Sequence, residues 1–520
     1  MLLRASRGLS GAGLASWAAA SRLAAPARVL SASRMMSTVS YRSTRGGQHG
    51  LSFEEAVMQG LATDKGLLVP EQIPSFPAGA PEIWRGLSYP DLAYEIMSLY
   101  IKPTDIPEDE LRELINRSYG TFRESDVTPT VPLGVDGLHV LELFHGPTFA
   151  FKDVALQFLG NLFEHLLKRK PGSRITVVGA TSGDTGSSAI YGLRGKQGVE
   201  CFIMYPDGRT SQTQELQMIS VTDPNIHNIA LDGSFDDCQA AVKYMFNDTA
   251  FRDEHKLAAV NSINWARILA QIVYYAHAYL KVTEAPAAGA PPPKVSFSVP
   301  TGNFGDILAG FYAKSMGLPV DRLIVATNSN DILHRYFADG DYSGKGVAQT
   351  ISPSMDIQVS SNFERFLFHM SGNDAELMAK LMGELESSGT LHPTASMLSN
   401  SRVHMDSARV PDEEVLSTIS EVFATSGYAL DPHSAIGVAA ARACGTSPGV
   451  PMICLACAHW AKFPDAMGQA LGGDAIGSKL TVPEPLASLH TLPTRVAPLP
   501  NDVNKVQQFI NETIAARKAA

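Results

Sequence analysis

The sequence predicts an α/β protein built on a doubly wound, mostly parallel sheet. Three observations lead there. Short apolar runs alternate with helical patterns through most of the chain. Two strand-to-helix joints are glycine-bearing turns, Thr181-Ser-Gly-Asp-Thr-Gly186 and Thr301-Gly-Asn-Phe-Gly-Asp306. And 520 residues, 45% hydrophobic and 18% charged, are enough for two or three well-cored domains of an ordinary soluble protein.

Residues 1–38 hold Arg4, Arg7, Arg22, Arg28 and Arg34 among Ala, Ser, Leu and Gly, and the first acidic residue of the chain is Glu54. A secretory signal gathers its apolar residues behind a short basic start. Here the arginines are spread, which is transit-peptide composition, with a spacing that suits a mitochondrial presequence better than a plastid one. Residues 39–120 carry helical patterns from Phe53 to Leu61, Tyr89 to Tyr100 and Pro107 to Arg117, separated by Gly and Pro turns, and form a small accessory domain.

In the region 121–480, the apolar run His139 to Phe144 reads as a buried strand. The positions Val154, Phe158, Leu162 and Leu166, with Leu159 and Phe163 beside them, mark one face of a long amphipathic helix. Strands at Arg174 to Val178, Glu200 to Tyr205 and Ile226 to Leu231 alternate with helices, the later ones at Gln212 to Ile219 and Phe235 to Phe246. A helix from Ile263 to Val282 precedes the exposed Pro- and Ala-rich loop from Glu284 to Lys294. Strands at Val295 to Val299, Leu323 to Thr327 and Met452 to Ala456 follow, and the tail 481–520 ends in a helix from Asp502 to Arg517.

A net charge of −10, without a sustained basic block beyond the first residues, argues against nucleic acid and anionic membrane as partners. Five cysteines are too few and odd in number for a disulfide framework, and no run is long and apolar enough to span a bilayer. Cys454 and Cys457 form a C-x-x-C inside a strand, without the second pair of a zinc site or the histidine of haem attachment.

Chemistry concentrates at the joint His145-Gly-Pro-Thr-Phe-Ala-Phe-Lys-Asp153. Lys152 falls at a helix N-terminus, where the dipole disfavours an ammonium ion, and Phe149 and Phe151 flank it with apolar surface. Both effects favour the neutral, nucleophilic amine that Schiff-base chemistry needs. A lysine at a helix end, taken alone, is more simply a snorkelling side chain. The two glycine turns each aim backbone N–H groups and a helix dipole at one point, which suits an anion, although a small-residue turn can also be only a tight turn. Asn264 and Arg267 lie three apart on one helical face and can converge on an anion.

The lysine segment resembles the cofactor-lysine motif of threonine synthases, pyridoxal-phosphate enzymes of fold type II. Tyr41-Arg-Ser-Thr-Arg-Gly-Gly47, Asp64-Lys-Gly-Leu-Leu-Val-Pro70, Thr181 to Gly186, Asn261-Ser-Ile-Asn-Trp-Ala-Arg267, Thr301 to Asp306 and Ser352-Pro-Ser-Met-Asp356 resemble that family's other blocks, in its order. The resemblance implies two α/β subdomains behind a small amino-terminal domain, and conversion of O-phospho-L-homoserine and water to L-threonine and phosphate. It implies pyridoxal 5'-phosphate on Lys152 as a Schiff base, with its phosphate on Gly302, Asn303, Phe304 and Gly305 and its phenolic oxygen facing Asp184. It places the substrate carboxylate on Ser182 and Thr185 and the substrate phosphate on Asn264 and Arg267.

One block departs from the pattern. Ala456-Cys-Ala-His-Trp-Ala-Lys-Phe463 has Cys457 where the family has the threonine that contacts the pyridine nitrogen, and Trp460 where it has proline. His459 and Lys462 lie near the site by resemblance, while local sequence reads them as a cap and a solvated side chain. The departures leave two alternatives open: a phospho-lyase of the same fold that releases 2-oxobutyrate, and an inert paralogue kept as a binding protein.

Overall fold

The computed structural model describes residues 39–287 and 289–519, so the leader expected over 1–38 lies outside the described residues. Two parallel sheets carry the fold. The larger runs Met405–Arg409, Val320–Thr327, Val295–Pro300, Met452–Ala456, Leu138–Glu142, Thr130–Pro132, all parallel except the last pair. The smaller is wholly parallel and runs Ala497–Pro500, Ile226–Asp232, Val199–Pro206, Ile175–Ala180, Leu257–Ala258. The tail is therefore more than a terminal helix. Its strand extends the smaller sheet beside Ile226–Asp232, and Val506, Ile510 and Ile514 of the helix Val503–Ala519 close the core beneath.

The helix that starts at the lysine, Lys152–Lys168, is buried on nearly every side rather than amphipathic. Gln157, Asn161 and Glu164 are buried along with its apolar residues, because Glu108–Tyr119, Asp184–Leu193 and Trp265–Val282 all pack on it. It crosses Asp184–Leu193 closely. A Cβ on Gly160 would sit 2.0 Å from the carbonyl oxygen of Gly192, so glycine sets the approach of the two helices.

The amino-terminal strand Tyr41–Ser43 pairs antiparallel with Leu68–Pro70 and clamps the start of the helix Trp265–Val282. Trp265 Nε1 donates to the Tyr41 hydroxyl at 3.1 Å, Asn264 Nδ2 donates to the carbonyl of Val57 at 2.9 Å, and the fully buried Arg365 binds the carbonyl of Leu68. Arg45 pairs with Glu364 at 3.0 Å across the same seam. Among the described residues no helix is long and apolar enough to cross a membrane, and all five cysteines are free.

Candidate active site

Lys152 is the first residue of its helix, 8% exposed, with its Nζ 4.6 Å from the centre of the Phe151 ring. Burial pushes its amine below the ordinary lysine range; Asp184 and Cys457 act to raise it, and Lys462 and Arg267 to lower it. Phe149 has other ring partners as well. It takes φ +58°, lies under the Arg123 guanidinium at 3.7 Å and meets the His459 ring at 5.6 Å, while the Phe151 ring is the one that stands against the amine among the described ring contacts. The loop itself is braced by Asp153, whose carboxylate accepts the Thr148 N–H and hydroxyl, each at 2.7 Å.

The lysine loop is held to the end of the strand Met452–Ala456 by backbone bonds. Phe151 N–H donates to the carbonyl of Cys457 at 2.7 Å, and His459 N–H donates to the carbonyl of Phe149 at 3.1 Å. Cys457 N–H donates in turn to Ser434 Oγ at 3.0 Å, and Ser434 is fixed by Asp431. Burial, with Asp306 and Asp431 near, holds the Cys457 sulfur firmly as a thiol.

The turn after Ile175–Ala180 is shaped by Thr181, whose hydroxyl accepts the amides of Gly183 at 2.9 Å and Gly186 at 2.8 Å. Ser182 and Thr185 are half-buried, and among the described residues neither hydroxyl has a partner. Asp184 is enclosed. Lys462 Nζ lies 2.6 Å from its Oδ1, Gln214 donates to the same oxygen at 2.8 Å, and Ser354 Oγ lies 3.4 Å from Oδ2. Burial acts to raise its pKa, but Lys462 and Lys152 outweigh that and hold the carboxylate ionised, below its usual range. Lys462 is 0% exposed, not solvated: its partner comes from a distant segment that local sequence does not reveal. His459 does act as a cap, its Nδ1 accepting the Ala461 amide at 3.2 Å.

At the second turn the positive φ falls on Phe304 (+60°), not on a glycine, because its buried ring is locked against Phe363 and Phe366. Gly302 is needed for closeness, since a Cβ there would lie 3.0 Å from the carbonyl oxygen of Ser354. Among the described residues, the amides of Gly302, Asn303, Phe304 and Gly305 donate to no other group, so four N–H donors face the start of the helix Gly305–Ser315 without a partner. That fits a phosphate monoester. Asn303 accepts through its carbonyl from Asn362 and through its side chain from Ser361.

Arg267 and Asn264 differ in what they have left to offer. Asn264 caps its helix through Ala266 and binds Val57, so its amide already has a structural task. The Arg267 guanidinium is 4% exposed, and its Nε and Nη1 have no partner. A buried guanidinium with unused donors fits an anionic ligand.

Sequence reasoning missed Asp306, Tyr274 and Tyr275. Burial lifts the Asp306 carboxyl to about 6, and the two tyrosines donate to its Oδ1 at 2.5 and 2.9 Å while Oδ2 has no partner. It also passed over Asp431-Pro-His-Ser434, whose pattern of a capping acid followed by proline is a helix start. There His433 Nδ1 lies 2.7 Å from Asp431, and its Nε2 accepts the Ser354 amide at 3.2 Å.

Comparison with known proteins agrees along the chain. The family described as "Threonine synthase N terminus" matches residues 40–119, "Pyridoxal-phosphate dependent enzyme" matches 127–457 and "Threonine synthase, C-terminal" matches 434–510. The threonine synthase of Schizosaccharomyces pombe is 50% identical over 468 residues, covering 84% of this chain and 90% of that protein. The crystal structure of threonine synthase from yeast superposes with a TM-score of 0.86 at 46% identity, covering 92% of this chain and 99% of the other. That of the pyridoxal-phosphate-bound threonine synthase of Brucella melitensis gives 0.85 at 45% identity, covering 91% and 99%. With three matched families running from residue 40 to 510 and relatives of 45–50% identity covering 84–92% of its length, the chain belongs to the threonine synthase family of pyridoxal-phosphate-dependent enzymes.

Proposed function

We propose that the chain is a threonine synthase that converts O-phospho-L-homoserine and water to L-threonine and phosphate. The observation that carries this reading is the grouping of a buried amine with two separate sets of unused anion donors, the amides of Gly302 to Gly305 and the guanidinium of Arg267. One phosphate belongs to the cofactor and the other to the substrate. When bound, pyridoxal phosphate supplies a conjugated electron sink for a carbanion at the substrate's carbon backbone.

The chain's own residues do the rest. Lys152 would hold the cofactor and, once displaced by the substrate amine, carry protons between neighbouring carbon atoms, a task for which its lowered pKa suits it. Ser182 and Thr185 would bind the substrate carboxylate with free hydroxyls at a helix N-terminus, and Arg267 would hold the phosphate that leaves from the γ-carbon before water adds at the β-carbon. Cys457 would sit at the ring nitrogen as a neutral thiol, a weaker partner than the hydroxyl it replaces. Asp184, already ionised by Lys462, would face the phenolic oxygen. The mitochondrial matrix is the location we favour, on the arginine spacing of residues 1–38, and imaging of a tagged full chain tests it.

Purified protein lacking residues 1–38, given pyridoxal phosphate and O-phospho-L-homoserine, should release phosphate matched by threonine. Phosphate matched by 2-oxobutyrate would move the chain to the phospho-lyases, and no phosphate would favour the inert paralogue. Lys152→Ala should abolish the lysine-dependent absorbance and lower turnover by at least ~100-fold.

A further inference from the structure

Lys462 enters the reading above only as the partner of Asp184. It closes the short helix Trp460–Lys462, its side chain is 0% exposed, and its Nζ donates to the carbonyl of Thr148 at 2.9 Å as well as pairing with Asp184 at 2.6 Å. Burying an ion pair is expensive and is weak support for stability in itself. Its position gives it another use. Asp184 is a carboxylate that acts on Lys152, and a buried lysine given a free carboxylate becomes an ammonium ion. Here that carboxylate is already filled by Lys462, Gln214 and Ser354. Among the described residues the Lys152 amine has neither a hydrogen-bonded nor an ion-paired partner, and it lies 4.6 Å from the centre of the Phe151 ring.

We propose that Lys462 is a positioning residue that occupies Asp184, thereby weakens the hold of that carboxylate on Lys152, and favours the neutral form of the amine that captures the cofactor. This rests on the reading that Lys152 carries pyridoxal phosphate. The groups that bear on the amine come from several elements: Asp184 opens the helix Asp184–Leu193, Arg267 comes from Trp265–Val282, Asp306 from Gly305–Ser315, and Cys457 and Lys462 from the segment after Met452–Ala456. Lys462 also acts on the buried Asp153, in the turn that follows Lys152. The lowered pKa of Lys152 has the sign this arrangement demands, with burial its largest cause and the Lys462 charge adding to it.

The test follows the rate at which apoprotein captures pyridoxal phosphate, read by the absorbance of the bound cofactor across the neutral to alkaline range. Wild type is compared with Lys462→Met, Lys462→Arg, Asp184→Asn, the double variant Lys462→Met/Asp184→Asn, and Lys152→Ala. In Lys462→Met the freed Asp184 should pair with Lys152, move the midpoint up by about one unit or more, and slow capture at neutral pH by about tenfold. Lys462→Arg should keep the wild-type midpoint. The double variant, which has no freed carboxylate, should match the midpoint of Asp184→Asn alone, the reference needed because Asp184 would lie at the cofactor. If Lys462→Met does not fold, Lys462→Gln keeps a hydrogen bond to Thr148 and carries the same expectation. An unmoved midpoint in folded Lys462→Met or Lys462→Gln, or a shift from Asp184→Asn that persists in the double variant, overturns the proposal. A wild-type protein without an absorbance band that Lys152→Ala removes would instead overturn the cofactor assignment, and this proposal with it.

Discussion

Phe151 donates its backbone N–H to the carbonyl of Cys457 at 2.7 Å, so the residue before the lysine is tied directly to the residue proposed to meet the cofactor's ring nitrogen. The tie is made by the main chain and does not depend on which side chain stands at 457. Cys457→Thr should therefore leave the fold unchanged and restore a hydroxyl at the ring nitrogen. Since one hydrogen bond contributes about 1 kcal/mol net, cofactor affinity should rise by roughly fivefold in an absorbance titration. Weaker binding would show that the site is adapted to sulfur.

Gly302 lies under the turn Pro353–Met355, and a Cβ there would sit 3.0 Å from the Ser354 carbonyl oxygen and 3.3 Å from the Met355 Cα. Gly302→Ala must push that turn away from the loop that carries the four free amides. The cost of such overpacking, about 1–3 kcal/mol, should appear as a roughly 5- to 150-fold loss of cofactor affinity while the circular dichroism spectrum stays native.

Arg267 is buried with two nitrogens unpaired, a destabilising arrangement unless a ligand uses them. Arg267→Leu should melt at the same temperature as the ligand-free wild type or higher, and lose activity on the phosphate ester by about 10- to 100-fold, mostly through KM. A large fall in melting temperature with intact activity would make the arginine structural.

His277 is 3% exposed, and burial lowers its pKa from 6.5 to about 4. Between those values the unfolded chain binds a proton that the folded chain refuses, so this residue's contribution is present above 6.5 and is lost as the pH falls towards 4. Urea midpoints measured at neutral pH and near pH 5 should differ by an amount worth about 2 kcal/mol from this group. His277→Gln should remove that part of the pH dependence, and an unaltered slope in the variant would rule it out.

Local signals carried the sequence reading where they were self-sufficient. The helix Gln212–Ile219 starts and stops where the pattern places it, because Ser211 caps it and the apolar spacing needs no distant partner. The helix Trp265–Val282 starts two residues later than its pattern predicts, since Asn264 serves as its cap rather than as its second residue. The strands Leu138–Glu142, Val295–Pro300 and Met452–Ala456 were legible as apolar runs, and the lysine and glycine turns follow from them. What stayed hidden depends on pairing between remote segments. Lys462 looks like a solvated lysine until Asp184 is folded against it, and Asp431 looks like a simple cap until Ser434 and His433 link it to the backbone amides of Cys457 and Ser354. The strand Ala497–Pro500, with two prolines in four residues, has no strand pattern and is recruited by the sheet edge beside it.

The alignment of Leu138–Glu142 with Met452–Ala456 also governs when the site can come into being. Lys152 leaves the ribosome roughly 300 residues ahead of Cys457 and Lys462, an interval of about 15–60 s at ordinary elongation rates. For that time the nascent chain carries its lysine without the wall that faces it and without the charge that occupies Asp184. A chain that terminates before the Met452–Ala456 strand would therefore carry Lys152 and the Gly302–Gly305 turn with one wall of the site missing and Asp184 unpaired by Lys462.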